Sequence, residues 1–535
     1  MVNLEIQKRF LRIPCRREAE TFMLLLSCDG EVFDRLSVRI CAPEQAQNWY
    51  SVDVSRQIGK NITLTLVLSE CNCITRVASV VPDDADTLLA GIQTADSIPQ
   101  TVQRPVAHFT AQSGWLNDPN GLHWREGKYH LYFQHVPCSE EWEDNCHWGH
   151  AVSEDLFHWT EQAPPFVYRG NSPSGSGWIE RSTGKSCIAF GGRILRSDDA
   201  GYWYETMVEN TITGDPKVFW HENTGHYVAV VGRRYPEDVL NGAPEEFVGA
   251  IYISKDLRIW EETQEFYGFH ECPDLFPLVL HETGETKWIM SGADNAYLIG
   301  TFDGRCFTAD PPETERLDVY ETLFGRLKGA VNKYNGQYSF GEQVWNGKCY
   351  AGQVFNEAPE NRTIRMLWDF TVFGPHANFT QCMTVPQELT LKKTALGLRL
   401  CAMPVQEISG LYRNVRQEEN WGDCQMVFQQ GDAFDVTIQM SSEQTVHIDG
   451  FTFYVDADSG CLAVTSPVGL FRKLPYKPDA GQSILRGVLD VGLTEWYIDQ
   501  GEIYLPVEHH RQDDGLVITI SGSGYSRILA AELSR

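Results

Sequence analysis

Long apolar runs are missing from this chain. Nothing approaches the roughly 18 consecutive apolar residues of a membrane-spanning helix, and the most evident run is Phe22 to Leu26. The opening MVNLEIQKRF has no apolar segment followed by a small-residue cleavage site, so a cytoplasmic chain is expected. Cysteine is sparse. Fifteen in 535 residues is an odd number and too few for a disulfide scaffold, so reduced thiols are expected. On the same grounds the glycosylation-type triplets at Asn61, Asn361 and Asn378 carry no weight. Positive charge is the third shortage, with 44 Lys and Arg against 72 Asp and Glu for a formal charge of −28. A surface so acidic repels phosphate, which argues against nucleic acid and against an anionic membrane as partners.

What the chain does have is core material, 42% apolar and 12% aromatic, enough for about three domains at roughly 100 to 200 residues each. Short alternating runs separated by Gly, Asn, Asp and Pro predominate, and sustained helical periodicity is rare. In Lys128 to His135, for example, Tyr129, Leu131 and Phe133 alternate with His130, Tyr132 and Gln134, placing Gln134 opposite the apolar face. Many strands without long helices imply an all-β sandwich, barrel or propeller. The division expected is 1–100 as a small β-domain with a connector, 101–373 as the chemical domain, and 374–535 as a second β-unit after Gly374-Pro375.

Three acids stand out. Asp118 lies in Trp115-Leu116-Asn117-Asp118-Pro119-Asn120-Gly121, Glu271 in His270-Glu271-Cys272-Pro273-Asp274, and Asp215 in Gly214-Asp215-Pro216. Taken singly, Asp-Pro and Asn-Gly are ordinary turn dipeptides, and Glu271 reads as a paired structural carboxylate. Three carboxylates before strands, with indoles nearby, suit a neutral polyhydroxylated ligand: acids to cleave a bond, aromatic faces for the apolar side of a sugar. Cys138, Cys146, His147 and His150 mix thiol and imidazole at short spacings but lack a paired C-x-x-C element, and Cys71 and Cys73 read as ordinary thiols. Neither a metal nor a cofactor is predicted.

Together these motifs resemble glycoside hydrolase family 32, the invertases, inulinases and levanases. Further stretches similar to the family are His147-Trp148-Gly149-His150, Leu298-Ile299-Gly300-Thr301-Phe302-Asp303-Gly304, Tyr350-Ala351-Gly352-Gln353 and Met383 to Leu391. Asn48 to Ser55 resembles an extra β-domain of some bacterial members. The resemblance implies a five-bladed β-propeller followed by a C-terminal β-sandwich. It also implies a retaining exo-acting β-fructofuranosidase with a small-molecule or polymeric fructoside as partner. Asp118 would be the nucleophile, Glu271 the acid/base and Asp215 the holder of fructose hydroxyls. Asn117, Gln134, Trp142 and Ser176 would bind substrate, with Cys272 supporting the acid. For this chemistry Asp118 should be held ionised and Glu271 protonated.

One departure is visible. The family has arginine before its third acid, and Gly214 stands here. Losing its hydrogen bonds removes about 1.5 to 3 kcal/mol each, unless Arg193, Arg196, Arg233 or Arg234 replaces them. A catalytically weakened fructan-binding protein, or a fructosyltransferase using the same intermediate, therefore stand as alternatives.

Overall fold

The computed structural model of the chain describes residues 1–68, 84–143, 145–167, 172–233, 248–267, 269, 271–310, 331–332, 336–337, 341–342, 349–374, 377–394, 397–456, 460–469, 471–475, 481–511 and 514–535. Cys71, Cys73, Arg234 and His270, with the side chain of Arg233, lie outside the described residues. Within them the fold is all-β apart from short helical turns.

The N-terminal unit packs a four-stranded sheet (Val2–Glu5, Asn61–Leu68, Phe22–Cys28, Glu31–Val38) with a three-stranded one (Asn48–Asp53, Phe10–Cys15, Gln93–Ala95). Period-two alternation builds it. In Asn61–Leu68 the side chains of Ile62, Leu64 and Leu66 are buried between the less buried threonines 63 and 65. The expected connector around 83 to 96 becomes the helix Ala85–Leu89 and the strand Gln93–Ala95, which returns to pair with Phe10–Cys15.

Five antiparallel meanders follow as the blades of a propeller. Their first strands are Gly114–Arg125, Gly175–Ile179, Lys217–His221, Asp274–Val279 and Cys349–Val354. Side chains and backbones lock these strands to one another. Gln353 Nε2 donates to the Gly175 carbonyl at 3.0 Å, and Asn356 Nδ2 donates to the carbonyls of Gly177 and Val218 at 2.7 and 2.9 Å. The approach is close enough that a Cβ on Gly177 would lie 2.4 Å from the Gly121 carbonyl oxygen. A buried ion pair joins blades three and four, Lys217 Nζ to Asp274 Oδ2 at 3.2 Å. Blade five joins in, since Lys217 also donates to the Val354 carbonyl and Asp274 accepts from Val354 N–H. Burial pushes each group towards its neutral form. Leaving one such charge unpaired costs about 3 to 5 kcal/mol, so the pair holds three blades in register.

Two sequence expectations change. The polar side of Lys128–Val136 is buried too, because His130 and Tyr132 stack with His123 and His150 at centroid distances of 4.3 to 6.1 Å and Tyr132 meets Tyr204. A blade strand has protein on both faces, so its alternation does not report solvent. Nor do the sheets divide at 373/374. Phe379–Thr380 pairs in parallel with Gly114 and Trp115 of blade one, while Gln387–Thr394 and Gly397–Pro404 complete blade five. The sandwich strands begin at Tyr412, in two six-stranded sheets around a core that includes Phe434, Ile438, Phe453 and Trp496. His108 anchors this sandwich to the propeller, with Nδ1 2.8 Å from Asp490 and Nε2 3.3 Å from Glu495. Burial opposes a charge on that imidazole, yet the two carboxylates lift it to about 10.

Candidate active site

Asp118 owes its position to a bulge. Leu116 pairs with His135 and Pro119 with Phe133, so Asn117 and Asp118 together face the single residue Gln134. The Asn117 side chain thereby meets both Gln134 and Asp118. Asn117 Nδ2 donates to Gln134 Oε1 and, at 3.2 Å, to Asp118 Oδ1, while Asn117 Oδ1 accepts from Trp115 Nε1 at 3.0 Å. A second register shift follows between Asn120 and His123. Gly121 lies in it at φ +59°, where a Cβ would be 2.6 Å from the Tyr132 ring.

The other oxygen of Asp118 accepts from the Ser174 hydroxyl and, at 3.5 Å, from the Cys272 thiol. Burial is the largest influence on Asp118 and raises its carboxyl, the charge of Glu271 adds to that, and the donors Ser174, Asn117 and Cys272 oppose it. The expectation that the environment holds Asp118 down is therefore corrected. An 8%-exposed carboxylate with neutral donors only is pushed up by lost hydration more than those donors pull it down.

Cys272 is the hub. Burial raises its thiol, and the charges of Asp215, Asp118 and Glu271 raise it further, which keeps it a protonated donor. The thiol donates to Asp118 at 3.5 Å. Glu271 precedes it, its carbonyl accepting from Ala293 N–H at 2.8 Å and its Oε2 from the Tyr350 hydroxyl at 3.0 Å. The charges of all three sequence-selected acids thus act on this one thiol.

Of the expected substrate contacts, Asn117 and Gln134 sit beside Asp118, and Trp142 is half exposed in the loop before His147–Ser153. Ser176 does not reach the site. It is fully buried, its hydroxyl donating to the Pro216 carbonyl at 2.7 Å and accepting from Val218 N–H at 2.8 Å. Ser174, two residues earlier and so about 6 to 7 Å higher along the strand, faces Asp118 in its place. Three of the thiol and imidazole groups between Cys138 and His150 engage other parts of the fold. His147 Nε2 lies 2.9 Å from the Arg35 carbonyl, the Cys146 thiol points to the His147 carbonyl, and His150 is stacked on Tyr132.

Gly214 has a structural cause. Its φ is +88°, its carbonyl accepts from Gly232 N–H at 2.7 Å, and a Cβ would stand 1.5 Å from the Gly232 oxygen. No side chain fits there. Arg196 pairs with Glu180 at 3.4 Å and Arg193 lies over the Phe190 ring.

Asp294 had no motif to announce it. It occupies the turn between Thr286–Ser291 and Ala296–Phe302, pinned by Ala293 N–H to Glu271 O, Ala351 N–H to Ala293 O and Asn295 Nδ2 to Cys349 O. Its Oδ1 is buried without a hydrogen bond, and burial followed by the charge of Glu271 raises the carboxyl to about 6. Asp294→Asn removes that titration from beside the reaction centre and is therefore expected to erase a transition near pH 6 from the pH–activity profile, and a profile that keeps the transition would show that Asp294 does not report on activity.

A family model described as "Glycosyl hydrolases family 32 N-terminal domain" matches residues 108–187 and 204–404. Among curated relatives, a levanase of Bacillus subtilis is 29% identical over 388 residues, covering 63% of this chain and 52% of the levanase. An extracellular exo-inulinase of Meyerozyma guilliermondii is 26% identical over 473 residues, covering 77% and 84%. The chain thus spans about half of the levanase and most of the exo-inulinase. Among solved structures, exo-inulinase from Aspergillus awamori superposes with a TM-score of 0.66 at 21% identity, over 82% of this chain and 99% of that one. Fructan 1-exohydrolase IIa from Cichorium intybus does so with 0.60 at 18%, over 81% and 97%.

Proposed function

The chain belongs to glycosyl hydrolase family 32, and on that premise we propose that it hydrolyses terminal β-fructosyl units of sucrose, fructo-oligosaccharides or fructans with retention of configuration. The hydrogen bond from the Cys272 thiol to Asp118, with the charges of Glu271 and Asp215 acting on that same buried thiol, carries the reading. The Asp118 carboxylate attacks the anomeric carbon while Glu271 protonates the departing oxygen, and the leaving alcohol is released. Glu271 then takes a proton from water, which attacks the same carbon, frees fructose and returns Asp118 as carboxylate. Asp215 holds ring hydroxyls, and Asn117, Gln134 and Trp142 shape the fructose pocket. Ser174 and Asn117 direct donors at Asp118, which stabilises the anion that the attack requires. The Tyr350 hydroxyl fixes the orientation of Glu271. No cofactor enters this chemistry.

The names of the relatives, levanase and exo-inulinase, support the substrate class. Incubation with sucrose, inulin, levan and short oligosaccharides tests it, with free fructose as the expected product. Gly214, with no room for a side chain, favours a second reading, a fructan-binding protein of weak activity. Tight binding with no fructose released from any substrate would establish that one instead.

A further inference from the structure

A cleft of about 740 Å³ lies where the N-terminal unit meets the propeller, a volume within the range of small-molecule sites. Its N-terminal wall carries Arg16, Arg17, Glu18 and Arg39, and its propeller wall carries Glu140 and Glu141. Three guanidinium groups against three carboxylates leave no net charge, which disfavours an ionic ligand. The groups are also paired, Arg16 with Glu18 at 3.2 Å and Arg17 and Arg39 with Glu141 at 3.0 and 3.5 Å. Such pairs present charged donors and acceptors that hydroxyl groups can hydrogen-bond.

Both walls run out of the candidate active site. Glu141 immediately precedes Trp142, and the loop is fastened to the N-terminal unit by Tyr50 and Asn48, which donate to Glu140, and by Arg39, 3.2 Å from Glu143. On the other side Val372 and Gly374 line the cleft. They follow Phe370, whose ring lies 4.2 Å from that of Trp368, and both rings pack against the cluster of Cys272, Ala293 and Tyr350.

We propose that this cleft binds the distal fructosyl units of an oligomeric fructan whose terminal unit occupies the propeller site. The inference rests on the function proposed above. It gives the N-terminal unit a part in selecting chain length, with sucrose confined to the propeller site and a longer chain spanning both.

The test uses the full chain carrying Glu271→Gln, titrated calorimetrically with sucrose, with a fructan of about six units, and with a maltohexaose control. Ala46→Trp narrows the cleft from a half-buried lining position, and Arg16→Ala removes a donor array. Ala46→Trp is expected to weaken fructan binding by about tenfold or more and Arg16→Ala by about threefold to tenfold. Sucrose affinity and the melting temperature should stay near those of the parent. Equal losses for sucrose and the long fructan would overturn the proposal, as would unchanged fructan affinity in both variants or maltohexaose binding as tightly as the fructan. The two readings fail separately. If the wild-type chain releases no fructose yet the cleft variants still weaken fructan binding, the hydrolase reading falls and the cleft stands. If fructose is released and the ratio of kcat/KM for long and short substrates ignores both variants, the reverse holds.

Discussion

Asp118→Asn is expected to slow fructose release by on the order of 10,000-fold or more, because it removes the nucleophile and with it the covalent route. Glu271→Gln should fall by about 100-fold to 10,000-fold, the usual contribution of general acid–base catalysis. The two losses differ in kind. A fructoside with a good leaving group, such as a nitrophenyl fructoside, needs little protonation, so Glu271→Gln should recover much of its rate on it while Asp118→Asn stays inactive. The amide of Asp118→Asn keeps an oxygen that can accept from the Ser174 hydroxyl and the Cys272 thiol, so the fold should survive and the loss should lie in kcat. Comparable activity of wild type and both variants on sucrose would remove these residues from the mechanism.

Gly214→Arg, which writes the family residue back into the chain, is expected to destabilise the protein by about 3 to 5 kcal/mol and to add no activity. The backbone there is left-handed at φ +88°, and the new Cβ would occupy space 1.5 Å from the Gly232 carbonyl oxygen. Relief would require breaking the hydrogen bond from Gly232 N–H to Gly214 O and moving the strand His226–Arg233, which sits in the core between blades two and three through Val231 and Ala229. Chemical denaturation of the variant beside Gly214→Ala measures the effect. A variant as stable as the parent and more active on sucrose would mean that the segment before Asp215 can adopt the family conformation.

The three acids were legible because each is embedded in a local string of residues whose spacing survives in one dimension. Bulge geometry was not. That Asn117 and Asp118 share Gln134 as partner depends on two register shifts, and no periodicity announces a shift. The resemblance points to Ser176, whose hydroxyl the structure buries against Pro216 and Val218 while Ser174 donates to Asp118, because alternation says which side of a strand a residue takes and is silent on how deep along the blade it lies. Tyr350 reaches Glu271 by a hydrogen bond from the start of another blade, and Asp294 shares its charge environment from a hairpin turn, influences that cross about 80 and 20 residues of chain. Tyr350 stood inside a quoted motif without a role, and Asp294 stood in none. The end of the propeller was misplaced for a related reason. Gly374-Pro375 looks like a linker, yet the strands after it finish blade five and flank blade one.

The pairing of Phe379–Thr380 with Gly114 and Trp115, reinforced by Gly114 N–H donating to the Asn378 carbonyl at 2.7 Å, sets a timetable for biosynthesis. The strand bearing Asp118 leaves the ribosome before the partners of its second edge, Asn356 beside Leu122 and Trp124 and Phe379–Thr380 beside Gly114 and Trp115, which follow only after roughly 230 to 260 more residues, a delay of about 12 to 50 s at ordinary elongation rates. A naked β edge of that duration is an invitation to mispairing. The nascent ring thus passes through a long adolescence in which its future reaction centre is the part left open.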